Sequence, residues 1–118
     1  MGEVEDLLRD AARRIEPEVR SRLQGLFGGF VRAYLPQAWV FVTESETATL
    51  RVDVRGSVTV VPGAADVPDV TVELSVARLR AALTSRHPGT ATAGKVNVTP
   101  HTSKGKAAFD YLRDRVGL

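Results

Sequence analysis

Between residues 48 and 83 the chain alternates apolar and polar side chains with a period of two. The run is ATLRVDVRGSVTVVPGAADVPDVTVELSVARLRAAL. Leu50, Val52 and Val54 alternate with Arg51, Asp53 and Arg55; Val58 and Val60 resume after Gly56; Val70, Val72 and Leu74 alternate with Thr71, Glu73 and Ser75. A period of two is the mark of a strand with one dry and one wet face. Three such strands in succession make a sheet that needs a cover on one side, and the rest of the chain must supply it.

The cover is visible before and after this run. Val4, Leu7, Leu8, Ala11, Ala12 and Ile15 recur at helical spacing, which predicts an amphipathic helix over 3–15. Pro17 suits the first turn of a second helix, where its missing N–H costs nothing. Val19, Leu23, Leu26, Phe27, Phe30 and Val31 would carry its apolar face, with an end near Gly28 and Gly29. The segment 38–43, AWVFVT, is apolar on both sides, as a strand central in its sheet is. The polar residues 44–47 turn it into the next strand as a hairpin, and Arg55-Gly56-Ser57 makes the following turn. Ser75 stands where an N-cap would, ahead of a helix with Val76, Leu79, Ala82 and Leu83 on its buried stripe. Residues 95–99, KVNVT, form a fifth strand, and Thr102 or Ser103 opens a last helix.

The 118 residues suffice for one domain with a real core. A helical segment over 1–35 precedes sheet, helix and last helix over 36–118. The absence of cysteine excludes disulfides and thiolate metal sites. No run is apolar enough to span a bilayer, and the acidic start is unlike a signal peptide, so a soluble cytoplasmic protein is expected. The net charge of +2 is unevenly placed: residues 76–118 hold eight Lys and Arg against Asp110 and Asp114. Such a bias steers a protein toward an anionic surface or is simply a solvated face.

Catalytic signals are weak. His87 and His101 lie in Pro-flanked loops without motif partners, Asp66 and Asp69 read as turn formers, and no metal-ligand spacing is present. Ser103-Lys104-Gly105-Lys106 hints at phosphate contact but lacks the glycine-rich lead-in of a P-loop. The expectation is a protein that is not an enzyme and carries no cofactor or metal.

The order of these pieces resembles the sterol carrier protein type-two family. The residues that carry the likeness are Val54-Arg55-Gly56-Ser57-Val58, the strand and cap from Pro68 to Ser75, the leucine-bearing helix over 76–83, Gly94-Lys95-Val96-Asn97-Val98, and the amphipathic run 104–116. The likeness covers residues 38–118. The segment 87–93 is shorter than is common in the family, and the last three residues, Val-Gly-Leu, are not the Ser-Lys-Leu peroxisomal address of some relatives.

This resemblance implies an α+β fold in two layers: a five-stranded mixed, mostly antiparallel sheet with helices covering one face and an apolar tunnel between. It implies non-enzymatic binding and transfer of a lipid or similar hydrophobic molecule, such as a fatty acyl chain, an isoprenoid or a sterol-like compound. The wall would come from Phe27, Phe30, Val31 and Tyr34 on the second helix and from Trp39 and Phe41 on the sheet. Leu79 and Leu83 on the third helix, and Phe109, Leu112 and Val116 on the last, would complete it. Lys104, Lys106, Arg113 and Arg115 are candidates for transient docking on an anionic membrane. The alternative is a filled core with no small ligand, in which Phe27, Phe30 and Trp39 serve a protein interface or a homodimer. Nucleic acid is not expected as a partner, because the basic residues lack interleaved aromatics.

Overall fold

The computed structural model of the chain describes residues 2–25, 33–84 and 96–112. It is an α+β fold with helix α1 (Glu3–Gln24), strands β1 (Gln37–Val42), β2 (Thr47–Val52), β3 (Val58–Pro62) and β4 (Val70–Glu73), helix α2 (Val76–Thr84), strand β5 (Asn97–Pro100) and helix α3 (Ser103–Leu112). The strands lie in the order β3-β2-β1-β4-β5. β1 runs parallel to β4, and the other neighbours are antiparallel. The strand expected to be dry on both sides is the middle one.

Register explains which residues meet. Trp39 pairs with Leu50 and Val70, Phe41 with Ala48 and Val72, Leu50 with Val60, and Val72 with Val98. These residues share one face, and they join Val4, Leu8, Ala11, Ala12 and Ile15 of α1, Val76, Leu79 and Leu83 of α2 and Phe109 of α3 in a single apolar cluster. All three helices therefore cover the same side.

Residues 3–24 form one helix, not the two expected with a break at Pro17. The apolar stripe runs on in phase from Ile15 to Val19 and Leu23, so partial burial continues across the proline. Pro17 and Arg13 are both exposed, which leaves the Arg13 carbonyl, deprived of its partner by the ring, open to water. Strand β2 stops at Val52, short of the Val54 that alternation suggested; Val54 is 51% exposed. The Asp53 carboxylate explains the stop. Its Oδ1 accepts the N–H groups of Arg55 (2.8 Å) and Ser57 (2.9 Å), and Gly56 adopts a φ of 87°, so the chain turns at once.

The face opposite the helices is not bare at its centre. Ala38, Val40 and Thr49 point to that side, yet all three are buried. The connection from β3 to β4 must return from one edge strand to the far side of β1 in the few residues 63–69. Three strand spacings are about 14 Å, and eight Cα steps reach at most about 26 Å, so the connection takes the direct path over the sheet. Thr49 Oγ1 donates to the Gly63 carbonyl at 2.8 Å, which places the start of that path on this face.

Candidate functional site

The candidate site is the layer between the sheet and the helices, and the strands set its floor. Trp39 and Phe41 project toward the helices because both lie at odd positions of β1, in register with Val70 and Val72 on β4. Ser75 starts α2: its Oγ accepts the Arg78 N–H at 3.0 Å. The helix then brings Leu79 and Leu83 onto one side, both buried. Thr102 caps α3, its Oγ1 accepting the Gly105 N–H at 2.9 Å. Gly105, Ala108 and Phe109 follow at helical spacing, and Phe109 meets the Trp39 ring with 5.2 Å between centroids.

Of the expected wall residues, Trp39, Phe41, Leu79, Leu83 and Phe109 are thus brought together in one cluster, each at most 4% exposed. Tyr34 is half-buried and lies in the turn before β1 rather than on a helix. Leu112 belongs to the last turn of α3. Phe27, Phe30, Val31 and Val116 lie outside the described residues, as do Arg113 and Arg115.

The two described lysines of the docking set make contacts within the chain, and Lys106 is exposed. Lys104 Nζ donates to the Pro36 carbonyl at 2.6 Å and lies 3.7 Å from Asp69. Lys106 pairs with Asp110 one turn along at 3.0 Å. Among the described residues no helix is long and apolar enough to cross a membrane.

The layer ends in polar contacts that periodicity did not reveal. Buried Gln37 uses its amide three times: Nε2 donates to the carbonyls of Tyr34 (2.6 Å) and Lys104 (3.0 Å), and Oε1 accepts from Trp39 Nε1 (2.9 Å). The amide fixes the Trp39 indole and the start of α3 at once.

Asp69, a turn former by its sequence context, does more. Its Oδ2 accepts the Ala38 N–H (2.9 Å) and its Oδ1 the Thr102 hydroxyl (2.8 Å). Its own backbone exchanges with Ala38 and His101. Asp69 thus joins β1 to the start of α3 through its carboxylate, and its backbone ties the start of β4 to β1 and to the residue after β5. Gly105 packs against the same residue: a Cβ there would lie 2.9 Å from the Asp69 carbonyl carbon and closer still to its oxygen.

The turn between β1 and β2 also does more than reverse the chain. Glu46 Oε1 accepts the Val4 N–H at the start of α1 (3.0 Å). Both Glu44 carboxylate oxygens accept the Val76 N–H at the start of α2 (3.2 Å). Carboxylates at helix N-termini satisfy orphan N–H groups and face the positive end of the macrodipole. The fit is close at α1, where a Cβ on Gly2 would collide with the Glu46 carboxylate. The signal available in sequence was two acids two apart in a hairpin turn, which does not say which N–H groups they reach.

No protein-family model matches the chain, and no curated protein matches it. A solved structure described as "UbiJ-SCP2 Ubiquinone synthesis protein" is similar to it at 17% identity, over 90% of each chain, with a TM-score of 0.48. A likeness at that level says nothing about a ligand.

Proposed function

We propose that this protein binds and carries a hydrophobic small molecule, such as a fatty acyl chain or another lipid, in the layer between the sheet and the helices, without catalysing a reaction on it. The single observation that supports this is the convergence of Trp39, Phe41, Leu79, Leu83 and Phe109 from a strand and two helices onto one apolar layer. An aliphatic tail gains about 25 cal/mol for each Å² of apolar area it removes from water, and needs few polar anchors. The succession of strands, caps and helices that resembles the sterol carrier protein type-two family points the same way.

Displacement of a fluorescent fatty acid, together with native mass spectrometry of freshly purified protein, tests the proposal. The expected result is one bound molecule per chain, released by unlabelled palmitic acid, with a change in Trp39 emission. No bound species, no displacement and an unchanged Trp39 signal would refute it.

The tight burial of the same five residues favours a second reading, a filled core in a protein-interaction or dimerisation module. Sedimentation distinguishes the two: a tight obligate dimer that takes up no fatty acid supports the module.

A further inference from the structure

Helices α1 and α3 approach the sheet directly, and α2 does not. Cα atoms of α1 come within 8 Å of β2 and β3, and those of α3 within 8 Å of β1, β4 and β5. No Cα of α2 comes that close to any strand; its neighbour at that distance is α1. Yet Leu79 and Leu83 of α2 belong to the same buried cluster as Phe41 and Val72 on the sheet. The gap between backbone layers is therefore widest under α2, and leucine side chains span it. No Cα of α3 lies within 8 Å of α1 or α2 either, so the described helical layer has a seam beside this gap.

Ties of α2 to the hairpin turn and to α1 lie at its surface, while its buried Arg78 makes a further contact. Glu44 and Ser75 cap its N-terminus. Arg14 of α1 donates to the Leu83 carbonyl near its C-terminus, and Glu3 of α1 pairs with Arg80 on its outer side. Glu44, Arg14, Glu3 and Arg80 are exposed at least in part, so water can replace these contacts if the helix shifts. The contacts that hold α3 are different: Asp69 is buried, and Gly105 lies against its backbone.

From this geometry we infer that the guest lies under α2, between Leu79 and Leu83 above and Phe41 and Val72 below, and that α2 is the element that rises to admit it. The inference rests on the carrier reading and sharpens it. The roof is aliphatic and the floor is one phenyl ring and one valine, a lining that suits a hydrocarbon chain. Helix α3, with Phe109 against Trp39, stays in place as the side wall.

The test is photocrosslinking of the full chain with palmitic acid that carries a diazirine at mid-chain, mapped by peptide mass spectrometry. Adducts on Phe41, Val72, Leu79 or Leu83 are expected. Leu79→Trp, which puts a bulkier side chain where the guest would lie, is expected to weaken binding of a dansyl-labelled undecanoic acid roughly tenfold, the scale on which apolar pockets discriminate shape. The mapping on unaltered protein keeps the inference falsifiable if that variant does not fold. Adducts confined to α1 or α3 would overturn the inference and leave the carrier reading standing. Neither adducts nor displacement of the dansyl probe would overturn both.

Discussion

At the β2–β3 end of the sheet, α1 is held by a stripe of apolar side chains, Val4, Leu8, Ala11, Ala12 and Ile15, all buried. Several of its charges pair along its own surface, Arg13 with Asp10 and Arg20 with Glu16, while Arg14 and Glu3 reach α2. At the β4–β5 end, α3 is ten residues long and offers Phe109 as its one large, fully buried side chain among those described. Directional contacts hold it: Asp69 on Thr102, Gln37 on the Lys104 carbonyl, Lys104 on Pro36, and Gly105 against Asp69. A long helix gains most of its hold from burial, at about 25 cal/mol per Å². A short helix with one anchor needs hydrogen bonds that leave few buried polar groups unmet.

The contrast can be broken in four ways. The largest effect belongs to Asp69→Ala, which orphans the Ala38 N–H and the Thr102 hydroxyl. At about 2 kcal/mol each the loss is about 4 kcal/mol in urea unfolding. Hydrogen exchange should show residues 97–110 losing protection while residues 4–15 keep theirs; equal loss in both would show that the two ends are not held separately.

Leu8→Ala comes next, at about 3 kcal/mol and a Tm lower by about 10 °C, and its loss should be global because α1 covers the larger seam. A cost below about 1 kcal/mol would mean that α1 is not the principal cover.

Gly105→Ala is the sharper test because its sign decides. In an ordinary helix interior the change stabilises by about 1 kcal/mol. Here the new Cβ meets the Asp69 backbone, and overpacking should cost about 2 kcal/mol instead. A gain in Tm would place α3 farther from β4 than the structure does.

The smallest effect is Arg13→Ala. It breaks an exposed ion pair on α1 and should change unfolding by less than about 0.5 kcal/mol. A larger loss would show that the α1 surface charges matter to its attachment.

Sequence reading served the two ends unequally, for the same reason. The α1 stripe repeats every three or four residues, and the sheet alternates every second residue, so both patterns lie within a few positions of one another. They placed Trp39 and Phe41 on one side of the middle strand and Leu79 and Leu83 on one side of α2. The contacts of α3 have no such local trace. Asp69 reaches Ala38 and Thr102, 31 and 33 positions away. Glu46 caps α1 at Val4, 42 positions earlier, and Glu44 a helix that starts 32 positions later. Pro17 shows the converse, a local break signal overruled because the apolar stripe on either side of it stays in phase.

The order of the residues alone determined that this chain makes a five-stranded sheet, that one face of it is dry, and which helices carry an apolar side toward it. Apolar burial has no direction and adds residue by residue, so periodicity suffices to foretell it. Only the tertiary structure decided that one buried carboxylate ties the middle strand to the start of α3, that two glutamates of one turn start two helices, and that α2 stands farther from the sheet than its neighbours. Each of these depends on where a distant N–H or side chain lies in space, and a hydrogen bond forms only when distance and angle are both met.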